Sequence, residues 1–317
     1  MAAEGSTRAV VTALGANLGI AVAKFVAAAI TGSTSMLAEG VHSVADSGNQ
    51  VLLLVGGKRA ERDATDEHPF GYGRARYLYA FIVSVVLFSV GGLFALYEAW
   101  HKWQEAEGIH SWQWLPIAVL VVAICLEGYS FRTAILESNK IRGRTNWVKF
   151  IRRAKSPELP VILLEDSAAL LGLLFALFGV LMTLATDDGR WDAVGTAMIG
   201  LLLVCVAAVL AMEMASLLIG EGATPQDLRK IRKALESDGL HRVIHLRTMY
   251  VGPDELLVAT KVAVGPRETA AEVASAIDDA ERRVRAVVPA ATLIFIEPDI
   301  DRGITPEGGP EVRAARA

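Results

Sequence analysis

The chain has 317 residues, of which 53% are hydrophobic and 21% charged; that apolar share exceeds the roughly 45–50% usual in soluble domains, and the mean hydropathy is +0.39. A net charge of -4 is too small to mark a nucleic-acid or acidic partner. The 2 cysteines, Cys125 and Cys205, each lie in an apolar run, which excludes a disulfide framework or a Cys-rich zinc site.

The apolar excess is concentrated in the first two-thirds, as in a membrane protein with a soluble tail. The N-terminus shows no basic n-region, short apolar h-region or small-residue cleavage site. No removable signal peptide is therefore expected, and the first span should itself direct insertion. A helix needs about 20 apolar residues to cross the bilayer core, and six stretches qualify, at about 9–30, 36–57, 77–100, 115–137, 160–185 and 191–219. Pro116 and Pro160 stand near the starts of the fourth and fifth spans, where a helix tolerates proline.

Basic residues set the expected orientation. Lys58, Arg59, Arg62, Arg74 and Arg76 follow the second span; Lys140, Arg142, Arg144, Lys149, Arg152, Arg153 and Lys155 follow the fourth. The alternate loops hold only Lys102 and Arg190, so both termini are expected in the cytoplasm, with the protein in the cytoplasmic membrane. Trp100, Trp103, Trp112 and Trp114 bracket the third-to-fourth loop as an aromatic belt would.

After Gly220 the texture turns to mixed charge. Thr224-Pro225-Gln226-Asp227 reads as an N-cap with proline at the first helical position. Strands follow at 243–251 and 256–264, separated by Gly252-Pro253-Asp254. An amphipathic helix from Thr269 to Val287 and a strand at Thr292–Ile296 complete an αββαβ order. The last residues, 301–317, are expected to be disordered.

Within the second span Glu39, His42 and Asp46 fall at i, i+3 and i+7, on one helical face. Ionisable groups at membrane depth are costly and usually mark an ion or proton route. Snorkelling to the interface accounts for Glu39 but not for Asp46, which is near mid-span. An imidazole and a carboxylate one turn apart form half of a four-ligand site for a borderline divalent metal. The fifth span offers the other half in Glu165 and Asp166. Neighbours on a helix point about 100° apart, so only one of the two is expected to face the second helix directly. Acids buried near one another bind a metal when deprotonated and release it to protons, a chemistry suited to exchange.

Other polar groups carry weaker signals. Asn17 and Lys24 share a face of the first span, and Lys24 is expected to neutralise Glu39. Glu127 and Arg132 are expected to form a helix-interface ion pair, and Asn49 and Gln50 to line an inner vestibule or bond between helices. Gly91-Gly92, Gly195 and Gly200 read as close-packing positions. His68 reads as a turn residue; His241 and His245 are possible peripheral metal ligands in the soluble part.

Taken together, these residues resemble the cation diffusion facilitator family over about 9–299. The matching pieces are Leu14-x-x-Asn17 and Lys24, Gly32-Ser33, His42-Ser43-x-x-Asp46, Pro69-Phe70-Gly71-x-Gly73-Arg74, Gly195 to Gly200, and the terminal αββαβ order. The resemblance implies a homodimeric secondary transporter, with no permanently bound cofactor, that exports Zn²⁺ or a related divalent cation in exchange for H⁺. The family's usual fifth-helix ligands are His-x-x-x-Asp, whereas Ile162 stands four residues before Asp166 here, with Glu165 beside it. His68 and Tyr72 likewise stand where many members have Tyr and His. Both departures, with Leu164-Glu165-Asp166-x-Ala168-Ala169-Leu170 and Gly220-Glu221, resemble the branch containing animal zinc transporter nine. One histidine among several carboxylates makes a harder site, which could accept Mn²⁺, Fe²⁺ or Co²⁺.

The resulting expectation is an α-helical membrane protein with six transmembrane helices in residues 1–219 and a cytoplasmic α+β, ferredoxin-like domain in 220–300. Its metal ligands would be His42, Asp46 and Asp166, with Glu165 and Glu39 as further candidates, Glu39 tending toward a gate with Lys24. The partners are a divalent cation, protons, the lipid bilayer and a second copy of the chain, with no nucleic acid. No Gly-x-x-x-x-Gly-Lys-Ser/Thr motif for an ATP-driven pump occurs. The alternative is a membrane metal sensor or scaffold that acts through its soluble domain without transport. An intramembrane hydrolase fits poorly, because Ser43 is the only nucleophile near His42 and lies on another face.

Overall fold

The structure is a computed structural model that describes residues 2–31, 34–105, 114–236 and 242–300. Its contacts divide the chain into two compact units, with the division falling between Ile219 and Gly220.

The first unit is helical: α1 (Ala2–Thr31), α2 (Thr34–Ala60), α3 (Ala75–Val86), a π-helical segment (Leu87–Leu93), α4 (Phe94–Gln104), α5 (Trp114–Arg142), α6 (Trp147–Arg153), α7 (Glu158–Thr186) and α8 (Arg190–Ile219). Among the described residues five stretches are long and apolar enough to cross a membrane: Thr7–Ile30, Ala75–Gln104, Ile117–Arg142, Glu158–Thr186 and Arg190–Ile219. The sixth expected span coincides with α2, which is 27 residues long. Its polar residues at positions 39, 42, 46, 49 and 50 dilute its apolar character below the other five.

Helix contacts close a ring. α1 packs on α2 and α5, α5 on α7, α7 on α8, α8 on α3 and α4, and α3 back on α2. Bilayer lipid is as apolar as the side chains, so such helices hold together by close packing and interhelical hydrogen bonds. Small residues permit the close packing. A Cβ on Gly195 would lie 2.8 Å from the Phe175 carbonyl oxygen, and one on Gly179 would lie 3.0 Å from that of Trp191. Those two glycines seat α7 against α8. Gly92 and Gly200 do the same between α8 and the π segment and α4, against Val204 and Leu96.

At the end of the unit that holds the basic loops, Arg76 and Glu158 form an ion pair of 3.4 Å that ties the start of α3 to the start of α7. In the loop after α2, Thr65 and His68 exchange backbone hydrogen bonds, and Gly71 takes a left-handed φ of 77°. His68 packs against Tyr72 with the rings tilted by 45° and their centroids 4.5 Å apart, in a turn role as expected. Arg142 lies 4.1 Å over the Trp147 ring at the start of α6.

The second unit follows the order α9 (Pro225–Leu235), β1 (Arg242–Gly252), β2 (Glu255–Val264), α10 (Ala270–Val287) and β3 (Leu293–Ile300). Thr224 caps α9 by accepting from the Asp227 N–H, with proline at the next position. β1 and β2 pair antiparallel, β2 and β3 pair parallel, and the sheet has three strands in the order β1-β2-β3. Ile231, Leu235, Leu256, Val258, Val262, Ala280 and Val284 form its core. α10 opens with a capping box: the Thr269 N–H donates to Glu272 at 2.8 Å, which holds that carboxyl below the usual carboxylate range. The expected tail at 301–317 lies outside the described residues.

Gly195→Ala should push α7 and α8 apart, because the nearest atom is backbone and cannot rotate away. Overpacking of this kind costs about 1–3 kcal/mol. Thermal unfolding of the purified protein should show the lowered midpoint, and an unchanged midpoint would mean the helix pair is not limiting.

Candidate functional site

Inside the ring lies a cavity of about 220 Å³. α1 contributes Asn17 and Lys24 to its wall, α2 contributes Ser43 and Asp46, α5 contributes Glu127, and α7 contributes Glu165 and Asp166. Leu87 and Gly91 of the π segment also face it. Local π geometry often accompanies functional sites, because the extra residue per turn re-aims side chains.

A hydrogen-bonded network forms one end of the cavity. Glu165 accepts from the Asn49 side-chain amide at 3.1 Å and from the Gln50 amide at 2.9 Å. Asn17 donates in turn to the Gln50 carbonyl at 3.3 Å, so α1, α2 and α7 are joined at one level. Asp166 accepts from the Ser130 hydroxyl of α5 at 2.8 Å. The two adjacent acids therefore separate as helix geometry requires, Glu165 to α2 and Asp166 to α5. Both are buried. Lys24 donates to the Ser43 hydroxyl at 3.0 Å, one turn before Ser47, whose own hydroxyl bonds the Ser43 carbonyl.

At the other end Lys102 stands 3.2 Å from Glu98 and 3.0 Å from Asp192, and donates to the Thr196 hydroxyl at 3.4 Å. Lys102, Asp192 and Thr196 line the same cavity as the acids. The cavity thus runs from a carboxyl-rich level near mid-helix to an ion-paired level by the ends of α4 and α8.

Of the residues expected from sequence, Asp46, Glu165 and Asp166 line this one cavity. The side chains of Glu39 and His42 lie outside the described residues, as does His241. Among the described residues no three His, Cys, Asp or Glu side chains converge closely enough to hold a metal ion. The divergence of Glu165 and Asp166 gives the physical reason on α7. His245 is exposed, and its carbonyl accepts from the Thr260 hydroxyl at 2.9 Å.

Glu127 corrects the sequence reading. Its expected ion pair with Arg132 is not formed: Glu127 is 6% exposed and faces the cavity, while Arg132 is exposed on another face of α5. Five residues along a helix amount to about 140° of rotation, too far for the two side chains to meet. The signal was present in the spacing. Leu120, Ala123, Glu127, Ser130 and Ala134 recur at alternating steps of three and four, and all are buried.

Comparison with known proteins gives the following. Residues 10–219 match the model of the cation efflux transmembrane domain. The chain is 32% identical over 225 residues to a mouse (Mus musculus) protein described as a mitochondrial proton-coupled zinc antiporter, covering 70% of this chain and 39% of that protein. It is 30% identical over 242 residues to metal tolerance protein C4 of Arabidopsis thaliana, covering 75% of this chain and 52% of the plant protein. An uncharacterised transporter of Methanocaldococcus jannaschii is 21% identical over 241 residues, covering 75% of this chain and 78% of that protein. The chain thus spans about two fifths of the mouse relative and about half of the plant one.

Gln50 holds two neighbours at once, so Gln50→Leu leaves a Glu165 oxygen and the Asn17 amide without their partners. A buried polar atom stripped of its partner costs about 1–3 kcal/mol. A lowered unfolding midpoint in detergent is the expected result; an unaltered one would show that the network does not support the fold.

Proposed function

Because the chain belongs to the cation diffusion facilitator family, as its match to the cation efflux transmembrane domain over residues 10–219 establishes, we propose that it is a secondary transporter of divalent cations. Zn²⁺ is the first substrate, exported in exchange for protons through a unit of six membrane-crossing helices, α2 among them. The reading extends to a homodimer in the cytoplasmic membrane with both termini on the cytoplasmic side. The Lys and Arg bias of the loops supports that orientation.

One observation carries the proposal: Asp46, Glu165 and Asp166 line one cavity inside a helical ring. Several acids in a low-dielectric space repel one another unless a cation or protons neutralise them. A divalent cation and protons therefore compete for the same oxygens, and exchange follows from that competition. Asp46 and Asp166 are the proposed oxygen ligands, with Glu165, which turns to α2, as a second-line candidate. His42, placed four residues before Asp46 on the same helix, is the proposed nitrogen ligand, and Glu39 a gate residue one turn further on. The amide oxygen of Asn49, buried beside Glu165, has no hydrogen-bond partner among the described residues. Such an acceptor suits a hard cation or its water. A carboxylate-rich set also tolerates Mn²⁺, Fe²⁺ and Co²⁺. The names of the mouse and plant relatives, a zinc antiporter and a metal tolerance protein, point to the same substrate class.

Proteoliposome flux tests this reading, with Zn²⁺ moved under an imposed pH gradient. Asp46→Asn and Asp166→Asn should each lower the initial rate by about tenfold or more, equivalent to about 1.4 kcal/mol at the site. Normal rates in both folded variants would remove the proposed site. Because the metal binds deprotonated ligands, apparent affinity should fall as pH drops on the loading side, and collapsing the gradient should slow uptake. A metal sensor without transport would instead bind Zn²⁺ and show no flux.

A further inference from the structure

Five acidic side chains are buried among the described residues: Glu127, Glu137, Glu158, Glu165 and Asp166. Four have evident partners. Glu137 contacts Lys140 at 2.6 Å and Arg8 at 3.7 Å, and Glu158 pairs with Arg76 at 3.4 Å. Glu165 has its two amides and Asp166 its serine hydroxyl. Glu127, 6% exposed, shows no hydrogen bond or ion pair among the described residues, and it lines the cavity. Burying a carboxyl without a partner is costly, and an apolar residue of similar size would be cheaper at that position. Packing alone does not explain the residue.

Its surroundings do. Glu127 lines the cavity that also holds Asp46, Glu165, Asp166 and Lys24. Ser130, which donates to Asp166, follows it by one turn on the same face of α5. One turn advances about 5 Å along the helix axis. Glu127 therefore sits one step from the Asp166 level toward the Trp114 end of α5. The cavity continues from there to Asp192 and Lys102.

We infer that Glu127 is a further cation-binding carboxylate of this cavity, a station that takes a divalent cation from the Asp46–Glu165–Asp166 level toward the Lys102–Asp192 end. The inference rests on the transport reading above and extends it to a residue of α5. A carboxylate oxygen that opens onto the cavity is a ligand for a hard or borderline divalent cation, and a cation at this point would neutralise it. The acid that α7 presents to α5 and the acid that α5 itself presents then form consecutive steps, one helical turn apart.

The full-length protein tests this with Zn²⁺ alone as the probe, in binding competition against a chelating dye and in proteoliposome flux. Glu127→Gln keeps the shape and removes the charge; Glu127→Leu removes the polar group altogether. Both should weaken Zn²⁺ binding by about tenfold, the lower bound for disturbing groups around a metal, and should raise the KM for transport. Glu127→Leu should also melt at or above the wild-type temperature, since it relieves an unpartnered buried carboxyl. Wild-type Zn²⁺ affinity and KM in either variant overturn the inference, while Asp46→Asn still blocking flux would leave the transport reading standing. Normal flux in Asp46→Asn as well would bring both down together.

Discussion

The Glu165 carboxyl, held between the Asn49 and Gln50 amides with Asn17 behind them, is the contact on which the first unit depends. A polar side chain at this depth must find donors within the protein, because lipid offers none. Its donors come from α2, and the donor behind them from α1, so a requirement of one residue draws three helices to a single level. The same clamp leaves Asp166 to turn toward α5 and Ser130. Two neighbouring acids on one helix thereby link opposite parts of the ring and place their oxygens on its interior.

Around that level the ring is shaped by what is small. Gly179 and Gly195 let α7 and α8 meet at backbone distance, and Gly92 and Gly200 do so where the π segment and α4 cross α8. These approaches narrow the outer seams, while the interior retains a cavity of about 220 Å³. A bundle packed this tightly does not deform continuously; under the proposed transport, passage of a cation calls for helices that shift as bodies. The π segment, with Leu87 and Gly91 on the cavity wall, lies where such a shift would reach the site directly.

Asp46 of the second span and the paired acids of the fifth, which line the cavity, were legible from sequence as local patterns: a spacing along a helix, and charge inside an apolar run. Glu127 was not read correctly, although its spacing with Leu120, Ala123, Ser130 and Ala134 put it on the buried face of α5. Proximity in sequence to Arg132 suggested an ion pair that a five-residue separation on a helix does not allow. Lys24 donates to Ser43; its expected pairing with Glu39 falls on a side chain outside the described residues. Asn49 and Gln50 left two roles open in the sequence, and the structure gives them Glu165. In the second unit the order of helices and strands followed from caps, turns and alternation, whereas the parallel pairing of β2 with β3 is a long-range choice that no local pattern encodes.

By itself the sequence determined the class of the molecule: apolar helices of membrane length, a mixed-charge αββαβ tail, and ionisable residues set inside the apolar runs. It could do so because hydropathy and helical period depend on residues a few positions apart. Only the tertiary structure decided which acid meets which partner, that Asp46, Glu165 and Asp166 border one cavity, and that Glu127 joins them. Asn49 and Glu165 are 116 residues apart along the chain, and their 3.1 Å contact depends on how the intervening helices close the ring. Side-chain spacing names the candidates for such a meeting; the packing of whole helices selects among them.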